Sequence, residues 1–248
     1  MEGYRYAYLA GDAFFLALWL VLYYFMTCSR KAMLWSSVTL MWVSPLFEWL
    51  NQDYWKPEFF LPIKIGSFVL GVESLILGFS VIGISAGIFD WRHRRGDGAS
   101  EVTRVTASSY WRLVVAGLLA AIPIVALTFL AGINSVHAHI YVCAVLAVGV
   151  IWRIKWQWKL PSLVTGLFMS GTMAAFYFGY FLHFYPDIIR DWWKEEVLWG
   201  IYLGKVPLEE FLWGASNALY LGPVIRYCMD KGFEADVAAE RKKALART

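Results

Sequence analysis

About seven apolar runs, separated by short charged connections, constrain this chain more than any single residue does. A helix needs about 20 predominantly apolar residues to cross the hydrocarbon core of a bilayer. The runs fall at 8–26, 33–49, 69–89, 113–131, 140–152, 163–184 and 207–227, and the fifth reaches adequate length only when 136–154 is counted. Hydrophobic residues make up 59% of the 248 and aromatic residues 18%, with a mean hydropathy of +0.52, well above an ordinary soluble domain. Lipid offers backbone amides no hydrogen-bond partner, so such runs fold as helices. The expected architecture is an all-α integral membrane protein with about seven transmembrane helices.

The connections set the expected orientation, because short cytoplasmic loops carry an excess of Lys and Arg. Arg30-Lys31, Arg92-His93-Arg94-Arg95, Arg153 with Lys155 and Lys159, and Arg241-Lys242-Lys243 all fall on one side. The opposite side holds the N-terminus, the stretch 51–58, Asn134-Ser135 and the stretch 187–196, which are mixed or acidic and rich in tryptophan. Seven spans with the N-terminus outside and the C-terminus in the cytoplasm satisfy every loop. The net charge of +3 therefore reports topology, and no nucleic-acid partner is inferred. Cys28, Cys143 and Cys228 lie far apart without a CxxC spacing, so they signal neither a disulfide framework nor a zinc site. The N-terminus lacks a basic segment and a small-residue cleavage site, so the first run reads as a retained span.

An internal repeat emerges from the two outer connections. Asp53-Tyr54-Trp55-Lys56 resembles Asp191-Trp192-Trp193-Lys194, and each precedes a semi-apolar stretch, 59–70 or 197–205. Then come Val72-Glu73-Ser74-Leu75 and Leu208-Glu209-Glu210-Phe211. The reading is a first three-helix repeat at 1–90, a basic loop and linking helix at 91–135, a second repeat at 136–229, and a charged tail at 230–248. The semi-apolar stretches, broken by Pro62, Gly66 and Gly204, are expected to be interfacial or re-entrant segments covered by protein. Parallel repeats place a ligand site where the copies face each other. Glu73 is then expected to meet Glu209 and Glu210.

Acids at the mouth of an apolar run mark a functional site, because an ionisable group in a span costs a few kcal/mol. Pro207 suits the first helical turn, and Glu209 and Glu210 sit at the positive end of the helix dipole. Neighbours on a helix point about 100° apart, so only one of the two glutamates need face a substrate. Asp12 and Glu48 are further acids at membrane depth, with Asp12 expected to pair with a hydrogen-bonding neighbour and Glu48 able to line the same cavity. Trp49, Trp55, Trp192, Trp193 and Trp213 lie near the proposed site, although Trp also collects at membrane interfaces in general. His137 and His139 are two apart and do not share a helix face, so together with His183 they do not read as metal ligands.

The three-span repeat with an outer Asp-aromatic-Trp element, followed by Pro207-Leu208-Glu209-Glu210-Phe211-Leu212 and Asn217, resembles the membrane-integral lycopene cyclases. The first repeat departs from that pattern, with Gly71-Val72-Glu73-Ser74 where Pro-x-Glu-Glu is expected. The resemblance implies a cofactor-free isomerisation of a linear carotenoid. A terminal alkene takes a proton, a neighbouring double bond closes a six-membered ring, and a proton leaves. Glu209, Glu210 and Glu73 would be the catalytic acids and bases. Pro207, Asn217, Trp213, Trp55, Trp193 and Glu48 would shape the substrate site, with aromatic faces stabilising the cation. The implied partners are a lipophilic polyene, the bilayer of the cell membrane, and a second copy or other membrane enzymes of the carotenoid pathway. Three alternatives stay open: a carotenoid hydratase, a cyclase of longer carotenoids, and a non-catalytic carotenoid- or lipid-binding subunit. A rhodopsin is nearly excluded, since the last span, 207–227, holds no lysine to carry retinal, and a transporter has poor support, since few polar groups line the spans.

Overall fold

The computed structural model describes residues 4–66, 68–97 and 105–245. Part of the basic loop, the first and last three residues, and the side chains of Arg241-Lys242-Lys243 lie outside what is described. Helix α1 (Ala7–Phe25) is followed by α2 (Arg30–Leu40) and α3 (Ser44–Leu50), joined by the 3₁₀ turn Met41–Val43. Strands β1 (Pro62–Ile65) and β2 (Phe68–Gly71) lead into α4 (Glu73–Asp97). Next come α5 (Ala107–Ala131) and α6 (Ser135–Val145), which continues through a π-helical stretch, Leu146–Ile151, into α7 (Trp152–Ile154). Helix α8 (Lys159–Phe176) likewise passes through a π-helical stretch, Tyr177–Phe181, into α9 (Leu182–Phe184). The chain ends with α10 (Ile188–Trp192), strands β3 (Tyr202–Leu203) and β4 (Val206–Pro207), and α11 (Leu208–Leu245).

Among the described residues, five helical stretches are long and apolar enough to cross a membrane: Ala7–Phe25, Glu73–Arg94, Ala107–Ala131, Ser135–Ile154 and Trp156–Phe184. The second expected span is divided by its 3₁₀ turn, leaving α2 only 11 residues long. The seventh lies within α11, whose apolar content is diluted by Ser216, Asn217 and Arg226.

The protein is mostly helical, but the two semi-apolar stretches form short antiparallel hairpins rather than re-entrant segments. In the first, Pro62 pairs with Gly71 and Ile65 with Phe68; in the second, Tyr202 pairs with Pro207 and Leu203 with Val206. β-Branched residues favour strand, and Gly66 and Gly204 supply the left-handed backbone of the turns, with φ of 63° and 61°. Pro207 accordingly ends β4 just before α11, instead of opening the helix.

The two ends of the bundle differ in chemistry. At the basic end, Asp90 on α4 accepts hydrogen bonds from Ser29 (2.8 Å), Arg94 (2.8 Å) and Arg226 on α11 (2.9 Å). Trp158 packs beside Phe89 there, and Ser109 at the start of α5 donates to the Met229 carbonyl. At the opposite end Asp53 accepts from the Ser135 amide (2.7 Å) and hydroxyl (2.6 Å), fixing the start of α6. Asp90 is buried, so removing one of its basic partners would leave a buried charge poorly compensated.

Candidate active site

At the hairpin end, two segments are tied to the bundle in similar ways. Trp55 and Trp193 form an isolated antiparallel bridge, with the Lys56 amide donating to the Trp192 carbonyl (2.9 Å) and the Lys194 amide to that of Tyr54 (2.8 Å). Each hairpin is then tied to the helix that follows it. The Val72 amide donates to the Leu61 carbonyl, and the Leu208 amide to that of Ile201. Glu73 Oε1 accepts the amides of Phe60 and Leu61, while Glu209 Oε1 accepts the Trp199 amide. His137 Nε2 lies 3.3 Å from the same Glu209 oxygen, and its ring stacks on Trp199 with centroids 4.7 Å apart.

Between the halves lies a cavity of about 170 Å³. An apolar cavity of ~150 Å³ holds one six-membered aromatic ring, so this one has room for a group of about that size. Its walls are apolar and aromatic, including Phe15, Phe47, Tyr54, Phe176 and Phe181, among which a few polar groups are set. The polar groups come from both halves: Tyr8, Asp12, Glu48 and Ser74 from the first, and His139, Tyr177, Glu210 and Asn217 from the second.

Two of these carboxyls are matched by a tyrosine. The Tyr8 hydroxyl donates to Glu48 Oε2 (2.7 Å), and the Tyr177 hydroxyl donates to Glu210 Oε2 (2.7 Å). The indole of Trp193 occupies the other Glu210 oxygen (2.8 Å), whereas Glu48 Oε1 has no hydrogen-bond partner among the described residues. Both oxygens of Asp12 are likewise without one, and Asp12, Glu48 and Glu210 are all buried.

Of the residues singled out from the sequence, Glu48, Trp55, Trp193, Glu210, Trp213 and Asn217 line the cavity, as does Trp192. Glu73, Pro207, Glu209 and Trp49 do not. Glu73 does not join Glu210 at the cavity: its Oε1 accepts the amides preceding its own hairpin, while its buried Oε2 has no hydrogen-bond partner among the described residues. Adjacent Glu209 and Glu210 diverge as neighbours on a helix must, one toward the hairpin and one toward the cavity. The sequence reading named Asp12 without assigning it to the site. It missed Tyr8, Tyr177 and the cavity position of His139, for which no local motif exists.

The helical bundle thus combines, among the described residues, five helices long and apolar enough to cross a membrane with an aromatic cavity holding buried carboxyls. Residues 134–228 match the family model described as lycopene cyclase. No curated protein and no solved structure matches the chain. The matched segment runs from the start of α6 into α11 and includes His139, Tyr177, Trp193, Glu210 and Asn217. The matched family suggests a carotenoid cyclase role.

Proposed function

We propose that this protein closes a six-membered ring at the end of a linear carotenoid by proton-initiated isomerisation, without net redox change and without a cofactor. The observation that carries the reading is the convergence of Glu48 and Glu210, from opposite halves, on one ring-sized aromatic cavity.

The free Oε1 of Glu48 is the position from which a proton can be given to the terminal alkene. Protonation leaves a tertiary cation, and the neighbouring double bond attacks it, forming the ring bond and moving the positive charge onto a ring carbon. Glu210, with both oxygens held by Tyr177 and Trp193, supplies a fixed negative charge toward which that cation develops. Preorganised charge of this kind is worth most where water is excluded. The faces of Trp55, Trp193 and Trp213 add quadrupolar stabilisation of the cation. Loss of a ring proton then restores neutrality, so substrate and product have the same mass.

In this reading Glu73 and Glu209 are positioning residues that anchor the hairpins. The remaining passes of a seven-span topology are α2 with α3, and α11, and the basic end of the bundle faces the cytoplasm. The polyene chain outside the cavity lies in the bilayer. Expression of the chain in a lycopene-accumulating bacterium, with pigments resolved by chromatography and mass detection, tests the proposal. A new pigment of unchanged mass is expected. Unaltered lycopene beside a folded, membrane-inserted protein would overturn it, and a gain of one water would turn it into a hydratase.

A further inference from the structure

His139 on α6 lines the cavity and is 5% exposed, and the function just proposed gives it no role. Its hydrogen bonding fixes its tautomer. The side-chain amide of Asn217, one turn along α11 from Trp213, donates from Nδ2 to the Trp213 carbonyl (2.9 Å). A carbonyl accepts only from a donor, so the Asn217 nitrogen must face Trp213 and its Oδ1 must face His139. That oxygen lies 2.8 Å from His139 Nε2. An amide oxygen has no proton to give, so His139 carries its proton on Nε2. The other nitrogen, Nδ1, is left with its lone pair. It is buried, and it has no hydrogen-bond partner among the described residues.

A neutral imidazole beside an apolar cavity, with one nitrogen tied down and the other unengaged, is a base held ready. The His139 ring lies 4.9 Å from the ring of Phe47, another residue that lines the cavity. We propose that His139 Nδ1 removes the proton that ends the reaction and so sets where the ring double bond forms. The inference rests on the cyclase reading of the cavity.

The step balances. A C–H bond next to the cationic ring carbon breaks, and its electron pair becomes the new C=C bond. The proton passes to Nδ1, giving an imidazolium with a proton on each nitrogen. Glu48, which gave a proton at the start, is now a carboxylate, and return of the proton from His139 to Glu48 resets both groups. No oxidant, reductant or water is consumed. Asn217 acts through His139 as a positioning residue, and this gives a reason for an asparagine within a span other than direct contact with substrate.

The test separates the two nitrogens. In His139→Gln the side-chain amide nitrogen takes the place of Nε2, so the bond to Asn217 is retained while the Nδ1 lone pair is lost. The expected result is a fall in ring product of about 10²-fold, the low end of general-base contributions, with residual product spread over a changed set of double-bond isomers. Asn217→Leu releases the tautomer and should give a smaller loss with the same change in isomers. Ring product from His139→Gln at the wild-type rate and isomer ratio would overturn the assignment. The tautomer is tested separately by nitrogen NMR of histidine-labelled protein in detergent, where a proton on Nε2 and a bare Nδ1 are expected. A proton on Nδ1 would overturn it whether or not the chain cyclises, whereas a wild-type protein that forms no ring with this tautomer intact would remove only the cyclase reading.

Discussion

The two halves of the protein do one thing alike and one thing differently. Glu73 and Glu209 occupy matching places, each at the start of its helix and each taking backbone amides from the segment before its hairpin. The residues that follow them diverge. Glu210 turns into the cavity and is held by Tyr177 and Trp193, whereas the first half has Ser74 in that position and the indole nitrogen of Trp55 has no partner among the described residues. The first half still brings a carboxyl to the cavity, but takes it from α3 as Glu48, with Tyr8 of α1 as donor. A glutamate in matching places and unlike cavity carboxyls, Asp12 and Glu48 on one side and Glu210 on the other, give the cavity two chemically different faces.

The largest effect expected is from Glu48→Gln, which keeps the shape and removes the proton donor. Ring product should fall about 10²- to 10⁴-fold, read as cyclised pigment per unit of membrane protein. The double variant Glu48→Gln/Ser74→Glu sharpens the comparison, because it puts the first half's carboxyl where the second half has its own. Partial recovery is expected, and no recovery would show that the α3 position is itself required.

Glu210→Gln comes next, with a loss of about 10²- to 10³-fold, the size seen when one preorganised charge-stabilising group is removed. Tyr177→Phe should cost less, because the Trp193 bond to Glu210 remains. A buried acceptor losing one partner is destabilised by about 1–3 kcal/mol, and a pigment yield several-fold to about tenfold below wild type is expected.

The smallest effects on product belong to Glu73→Gln and Glu209→Gln. Glutamine keeps a carbonyl oxygen able to accept the hairpin amides, so activity should stay within a few-fold. Glu73→Leu and Glu209→Leu leave those amides without an acceptor and should lower stability by about 1–3 kcal/mol each, measured by thermal unfolding in detergent.

The features of this fold legible in the sequence were those with a local signature. Apolar run length marked the helical stretches, and the pairing of Asp53-Tyr54-Trp55-Lys56 with Asp191-Trp192-Trp193-Lys194 marked the places where Trp55 and Trp193 meet. The hairpins were hidden because 62–65 and 202–203 are too short for a periodic signal and their turns depend on single glycines. The division of labour among the glutamates was hidden for a different reason. Adjacent residues on a helix point about 100° apart, and which of Glu209 and Glu210 faces inward depends on how α11 is rotated against its neighbours. Tyr8 is 40 residues from Glu48 and His139 is 78 from Asn217, so those pairs exist only once the helices are assembled.

The most direct test of the account is to express Glu209→Gln and Glu210→Gln side by side in a lycopene-accumulating bacterium and measure cyclised pigment against membrane-inserted protein. The account predicts that Glu209→Gln still forms a product of unchanged mass while Glu210→Gln loses nearly all of it. Retention of activity in Glu210→Gln with loss in a well-folded Glu209→Gln would contradict it, and would move the chemistry from the cavity to the hairpin anchor.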